Sequence, residues 1–407
     1  RQSRGSRNLN WKFVAPINPE PLVSLMERDQ PPSASSPTGD PWLLTPGPLT
    51  TSPTVKQAML HDYGSRDRHF VQVNERIRKR LVDLVGGRPN HVCIPLQGSG
   101  TFVVEAMLVS FVPRNGKILL LINGAYGQRM ARICEYHNRS FEIDEYPENQ
   151  PVDAAALDQR LENDSAITHV GVVYCETTSG IQNPVQELSV ITRRHGRGFL
   201  IDAMSAFGAL PLEAQETNFD AVVASSNKCL EGSPGIGFCI TPRNVIEHAR
   251  GSSDTLVLDL YDQWQAMEAN GQWRFTPPTH AILALSQALD ELDAEGGIAG
   301  RSQRYRQNCD LLIRGMREMG FQTLLPDAVQ ASIIVTFHMP ADPNFYFDRF
   351  YDALRHEGYV IYPGKLTVAD SFRIGCIGRI DIEQINGVLT AVRTTLDKMG
   401  VNNCGPG

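Results

Sequence analysis

Between about residues 90 and 240, short apolar runs alternate with longer amphipathic stretches, and no other feature constrains the fold as much. The runs are KILLLIN (117–123), FEIDEY (141–146), HVGVVYCE (169–176), GFLID (198–202), FDAVVAS (219–225) and GIGFCI (235–240). Between them lie stretches of helical periodicity, such as VDAAALDQRLEN (152–163) and PVQELSVITRRHG (184–196). Strands that are apolar along their whole length are covered on both faces. Their alternation with helices implies crossover connections between parallel neighbours. The expected fold is therefore α/β, a large domain with a mostly parallel sheet sandwiched by helices.

At 407 residues the chain is longer than one simple core accommodates. Two helical stretches, 279–297 and 300–320, read as one long or broken helix. SIIVTF (332–337), the helix FYFDRFYDALRHEGY (345–359), FRIGCIG (372–378) and a final helix over 381–400 follow. They predict a smaller C-terminal α+β domain. Residues 1–40 are polar and rich in Pro and Ser, a composition that buries little and reads as a disordered or linker-like tail. The expected organisation is that tail, a large domain over 41–298, a small domain over 299–400 and a short tail over 401–407. Residues 41–65 are expected to pack with the small domain. The first residue is Arg1, which suits a processed product or a piece of a longer chain equally well.

Composition removes several functional classes. A net charge of −7 lacks the basic footprint of a nucleic-acid binder. No window approaches the ~18 uninterrupted apolar residues of a membrane span, and no apolar leader opens the chain. The eight cysteines are scattered, with no CxxC pair, so they read as free buried thiols in a reducing cytoplasm. No metal site is expected.

Ligands of open parallel sheets bind beyond the carboxyl ends of the strands. QGSGTFVVEAML (97–108) turns on glycine into a helix, so Ser99, Gly100 and Thr101 offer amides and hydroxyls to an anion. Tyr126 lies in NGAYGQRM (123–130), where flanking glycines leave its ring room to lie flat on a ligand. Thr177, Thr178 and Ser179 cluster after the strand 169–176. Asp202 ends an apolar strand, where a carboxylate needs a partner. Lys228, in SSNKCLEGSPGIGF, follows another strand end among small residues. Each has an ordinary explanation by itself: a glycine turn, a loop tyrosine, capping hydroxyls, an ion-paired acid, a snorkelling lysine. Together they match one ligand. Pyridoxal 5′-phosphate has a phosphate, a flat ring, a phenolic oxygen, a ring nitrogen best kept protonated by a carboxylate, and an aldehyde that condenses with a lysine.

With LLTPGPLTTSPTVKQAML, YGSRD, FTPPTH and YPGKLT added, these stretches resemble the fold-type I, class V aminotransferases from about residue 41 to 400. TPGPLTTS, GSRD, NKC and YPGKLT are similar to the subgroup that transaminates 2-aminoethylphosphonate with pyruvate. The resemblance implies that Lys228 forms a Schiff base with the cofactor and moves the reacting proton, while Asp202 pairs with the ring nitrogen. It implies that Tyr126 stacks on the ring and Thr178 meets the phenolic oxygen. Ser99, Gly100 and Thr101 would hold the phosphate, helped by Asn227. Thr276, in FTPPTH, would reach the phosphate of a neighbouring subunit in a homodimer with shared sites. Arg373, in FRIGCIG, would clamp the substrate carboxylate, and Arg66 and Arg129 are further cationic candidates for the phosphonate. The implied reaction gives phosphonoacetaldehyde and L-alanine. Three alternatives share the cofactor chemistry or the fold: a serine– or alanine–glyoxylate transaminase, a lyase acting on a related aminophosphonate, and a non-catalytic module. A cysteine desulfurase fits less well, because that family has His where this chain has Asn227.

Overall fold

A computed structural model describes residues 34–364 and 368–407. The first 33 residues of the expected tail, and Lys365–Thr367 within YPGKLT, lie outside the described residues.

The apolar runs form one seven-stranded sheet. Its strands are β1 (His91–Gln97), β2 (Lys117–Ile122), β3 (Ser140–Glu145), β4 (Ile167–Val173), β5 (Gly198–Asp202), β6 (Ala221–Ser225) and β7 (Ile236–Pro242). The spatial order is β1-β7-β6-β5-β4-β2-β3. From β6 to β3 every pairing is parallel, and β7 alone runs against both its neighbours. Helices cover both faces, so β5 and β6 are almost wholly buried. From β2 the chain passes to β3 on one side and then to β4, β5 and β6 on the other, so the strand order switches between β2 and β4 and leaves a crevice at the carboxyl ends of the central strands.

The sequence pattern does not predict β1 as a strand. Pro95 interrupts HVCIPLQ and cannot donate to a ladder. It is tolerated because β1 is an edge strand, paired only with β7. The long helical stretch is broken, as anticipated, into α3 (Thr279–Ala294) and α4 (Gly297–Glu318), with Gly296 and Gly297 at positive φ between them.

A second sheet, β8 (Ile334–His338), β9 (Tyr362–Pro363) and β10 (Ser371–Gly375), has β10 at its centre. The helices α5 (Phe347–His356) and α6 (Ile382–Met399) pack on it around Phe337, Phe350 and Phe372. Residues 42–43 pair in parallel with Tyr359–Val360, which hangs the N-terminal segment on this unit. The expected tail is too long at its end. Residues 34–40 fold into a turn in which Ser36 is buried and Asp40 meets Lys56, and Ala34 N donates to Glu357 O.

α4 joins the two units through a buried ionic network. Glu231, in the turn after Lys228, accepts from Tyr305 Oη at 2.5 Å and Arg304 Nη2 at 2.7 Å. Arg304 also donates to Gly378 O and Ile380 O of the C-terminal unit. Arg301, fully buried, donates to Cys229 O at 2.6 Å and to Glu295 at 2.6 Å. Removing one member of such a network strands its partners in low dielectric. Glu231→Ala is expected to lower unfolding stability by about 3 kcal/mol, with Glu295 still compensating part of the charge. Chemical denaturation measures this, and a loss well under about 1 kcal/mol would mean that water already compensates the arginines.

Candidate active site

A cavity of about 330 Å³ opens at the carboxyl ends of the central strands. Ser99, Gly100, Thr101, Tyr126, Arg129, Asp202, Asn227 and Lys228 all line it, although they come from four separate stretches of chain. The sheet topology brings them together, because each follows a strand whose end faces the same crevice. A larger cleft of about 940 Å³ lies along α4, but its arginines and acids balance and none of the strand-end residues reach it.

Helix α1 (Gly100–Phe111) begins at the cavity. Its N-cap residue Ser99 makes no capping bond with its side chain, so the first-turn amides and the hydroxyl remain for a ligand. Thr101 Oγ1 accepts from Arg129 Nη1 at 3.1 Å, and the Arg129 guanidinium lies 4.8 Å from the centre of the Tyr126 ring. The arginine therefore backs both the anion cradle and the flat aromatic surface.

Helix α2 (Ala125–Tyr136), which carries Tyr126 and Arg129, starts from Gly124, a residue with no side chain to cap it. The orphan amides are met from the loop after β4. Thr178 Oγ1 accepts from Ala125 N at 3.2 Å, and Glu176 Oε2 accepts from Tyr126 N at 3.0 Å and Gly127 N at 3.3 Å. Thr178 also donates its hydroxyl to Glu176 Oε1 at 2.5 Å. The expected contact of Thr178 with the phenolic oxygen would have to share this hydroxyl. The hydroxyl is engaged in capping, and Thr177, not Thr178, lines the cavity. Glu176 is fully buried, and burial pushes its carboxyl above the ordinary range.

Asp202 ends β5 and is 4% exposed. Met204 N donates to it at 2.9 Å, yet desolvation still raises its pKa to about 6. Lys228 Nζ donates to Pro46 O at 2.8 Å and Gly47 O at 3.3 Å. Burial is the largest influence on it and lowers its pKa to about 8, which makes an unprotonated amine accessible near neutral pH. Arg373, on β10, is 6% exposed and donates to Thr177 O at 2.9 Å and Pro363 O at 3.0 Å. Among the described residues all its hydrogen bonds go to carbonyls, and burial lowers its pKa. A buried guanidinium satisfied only by carbonyls keeps its charge available for an anion.

Besides Thr178, three expected residues do not line the cavity of this chain: Arg373, whose guanidinium is held on Thr177 O and Pro363 O, Arg66 and Thr276. Arg66 is on the exposed turn after Tyr63, and Thr276 is exposed beside Phe275. Three further features at the site do not stand out in the sequence: Glu176, Ser205 and the Pro46–Gly47 carbonyls. Glu176 carries a signal, an acid directly after an apolar strand. The carbonyls carry none.

The cavity fits pyridoxal 5′-phosphate. Ser225 Oγ, at the end of β6, lines it and is buried with no hydrogen-bond partner among the described residues. A desolvated amine, a buried acid, an unused helix N-terminus and a flat aromatic face surround the same space. These are the groups that the cofactor's aldehyde, ring nitrogen, phosphate and ring require.

Comparison with known proteins adds an independent observation. The family model "Aminotransferase class-V" matches residues 55–349. The chain is 49% identical over 362 residues to a 2-aminoethylphosphonate–pyruvate transaminase of Cupriavidus taiwanensis, spanning 89% of this chain and 96% of the relative. It is 48% identical to a protein of the same description from Pseudomonas putida, spanning 89% and 98%. Among solved structures, pyridoxamine–pyruvate aminotransferase from Mesorhizobium loti superposes with a TM-score of 0.82 at 23% identity, covering 90% of this chain and 94% of that one. Alanine–glyoxylate aminotransferase from Nostoc sp. gives 0.81 at 22%, covering 91% and 98%. At such identities these two describe the fold.

Proposed function

Since this chain belongs to the class-V aminotransferase family, we propose that it moves the amino group of 2-aminoethylphosphonate to pyruvate, giving phosphonoacetaldehyde and L-alanine. One observation carries the reading. Desolvated Lys228 and buried Asp202 share a cavity, in a chain nearly half identical to transaminases of that description across nine-tenths of its length. The cofactor is pyridoxal 5′-phosphate, which when bound supplies an aldehyde for amines and a ring that accepts an electron pair.

The chain's residues supply the rest. Ser99, Gly100 and Thr101 offer donors for the cofactor phosphate, with Asn227 close by. Tyr126, backed by Arg129, gives the ring a face to lie on. Thr177 is placed to meet the phenolic oxygen, in the role the sequence reading assigned to Thr178. Asp202 holds a proton on the pyridine nitrogen, where its negative charge is compensated. Lys228, unprotonated for part of its time at neutral pH, would take the proton from the substrate carbon that bears the amine and deliver it to the carbon of the cofactor's aldehyde. Arg373 takes the anionic end of each substrate in turn, carboxylate or phosphonate.

Arg129 already serves the cradle, so we assign it to the cofactor side rather than to the phosphonate. Arg66 and Thr276 lie away from this cavity, and we propose that Thr276 acts across a homodimer interface on the partner's phosphate. No helix among the described residues is long and apolar enough to cross a membrane, and all eight cysteines are buried free thiols. A cytoplasmic location suits both.

Arg373→Ala is expected to raise KM for pyruvate and for the aminophosphonate by roughly 10–100-fold each, the worth of a charged hydrogen-bonded pair. Steady-state kinetics checks this, and two unchanged KM values would remove Arg373 from the pocket. The activity itself is tested by mixing the cofactor-loaded chain with 2-aminoethylphosphonate and measuring L-alanine formed from pyruvate. Faster transfer from L-serine to glyoxylate would overturn the substrate assignment. Product formed without any keto acid would indicate a lyase.

A further inference from the structure

We propose that the backbone carbonyls of Pro46 and Gly47 form a dock for the Lys228 amine, holding it at the cavity wall whenever it is not bonded to the cofactor. The proposal rests on the transaminase reading only in that such an enzyme must free and recapture its lysine in every round of turnover.

The geometry is specific. Lys228 Nζ donates to Pro46 O at 2.8 Å and to Gly47 O at 3.3 Å. Two carbonyls hold the amine without pairing it to a carboxylate. A carboxylate partner would keep the nitrogen protonated and unable to accept the reacting proton. Carbonyls orient the amine and leave both protonation states within reach. Gly47 is required by close approach as well as by its φ of +114°. A Cβ there would lie 2.5 Å from Lys228 Cδ and 2.8 Å from Asn227 O. The lysine side chain therefore runs directly across the face of Gly47 on its way to the carbonyls.

The dock is attached to the part of the protein that carries Arg373. Leu44 N donates to Val360 O at 2.8 Å, and Leu44 O accepts from Gly375 N at 2.8 Å. Gly375 is on β10, two residues beyond Arg373. Thr45 Oγ1 donates to Pro48 O and shapes the turn that presents both carbonyls. The position of the lysine amine thus depends on the strand that binds the substrate anion.

The test is trace acetylation of the full chain loaded with pyridoxamine 5′-phosphate, whose amine cannot condense with a lysine. Reactivity of Lys228 is read by peptide mass mapping against exposed Lys398. In Gly47→Ala the added methyl displaces the lysine from the carbonyls, and its pH-independent reactivity is expected to rise about fivefold, the worth of one net hydrogen bond. Lys398 should not change. If Gly47→Ala does not fold, Thr45→Val, which removes only the hydroxyl bond that shapes the turn, is expected to raise Lys228 reactivity about twofold. Unaltered Lys228 reactivity in a folded variant overturns the dock. A general loosening of the segment would raise other lysines equally, and that result also overturns it. Since labelling needs neither amino donor nor acceptor, a wrong substrate assignment would leave this result unaffected.

Discussion

Lys228→Ala is expected to reduce amine transfer at least about 10³-fold, the upper range for losing a positioned proton-transfer group. The argument starts from position. Lys228 follows β6 by three residues, in a turn closed by Glu231 N donating to Lys228 O at 2.8 Å and clamped by Arg301 on Cys229 O. The backbone that presents the amine is therefore rigid, and alanine keeps it. The cofactor cradle at Ser99–Thr101 and the face of Tyr126 are on other elements, so the variant should still bind pyridoxal 5′-phosphate, without a covalent link. A small primary amine such as methylamine fits the space that the side chain vacates and should restore part of the rate. Retained cofactor binding with amine rescue separates loss of proton transfer from loss of the site. A variant that keeps more than a tenth of the wild-type rate would remove Lys228 from the chemistry.

Different kinds of residue were readable from the sequence for different physical reasons. Apart from β3, an edge strand that stays partly exposed, the strands of the central sheet from 117 to 242 stand out because they are buried on both faces. β1 does not, because an edge strand tolerates Pro95 and an apolar run broken by proline looks like a loop. Asp202 and Lys228 are legible because a charged residue at the end of an apolar strand is costly unless it has work to do. The choice between Thr177 and Thr178 is not legible. The two are adjacent, and what separates them is a tertiary contact: α2 starts at a glycine some 50 residues earlier and takes its cap from Thr178 and Glu176. The end of the tail is hidden for a related reason. Residues 34–40 are as polar as what precedes them, but Ser36, Thr38 and Asp40 bond to one another and to Lys56. Polar composition reports an inability to form a core, and says nothing of a short turn docked on someone else's core.

Asp202→Asn is expected to act in opposite directions on activity and on the stability of the cofactor-free protein. The carboxyl is 4% exposed, and burial raises its pKa from 3.8 to about 6. A group raised in the folded state favours folding below its unfolded value, and that contribution is lost as pH rises through the folded value. At pH 8, with no cofactor cation opposite, the ionised Asp202 is therefore a net cost to folding. A shift of this size corresponds to about 2 kcal/mol once neighbouring dipoles relax. Asparagine keeps an acceptor for Met204 N and carries no charge. The apoprotein variant should therefore be more stable by about 2 kcal/mol at pH 8, and the gain should vanish as pH falls below about 4. With cofactor bound the balance reverses. The carboxylate is then needed to hold the proton on the pyridine nitrogen, and its loss should lower kcat by roughly 10²–10³-fold, as for other preorganised electrostatic stabilisers. Thermal melts of apoprotein at the two pH values, beside turnover of the loaded enzyme, measure both arms. An apoprotein variant less stable than wild type at pH 8 would mean that Asp202 is stabilised by a partner other than the cofactor. An unchanged kcat would mean that it does not face the ring nitrogen. The site is in this sense built against its own stability: the buried acid and the buried amine each cost folding free energy in the empty protein, and the same desolvation makes the acid a charge partner and the amine a base when the cofactor arrives.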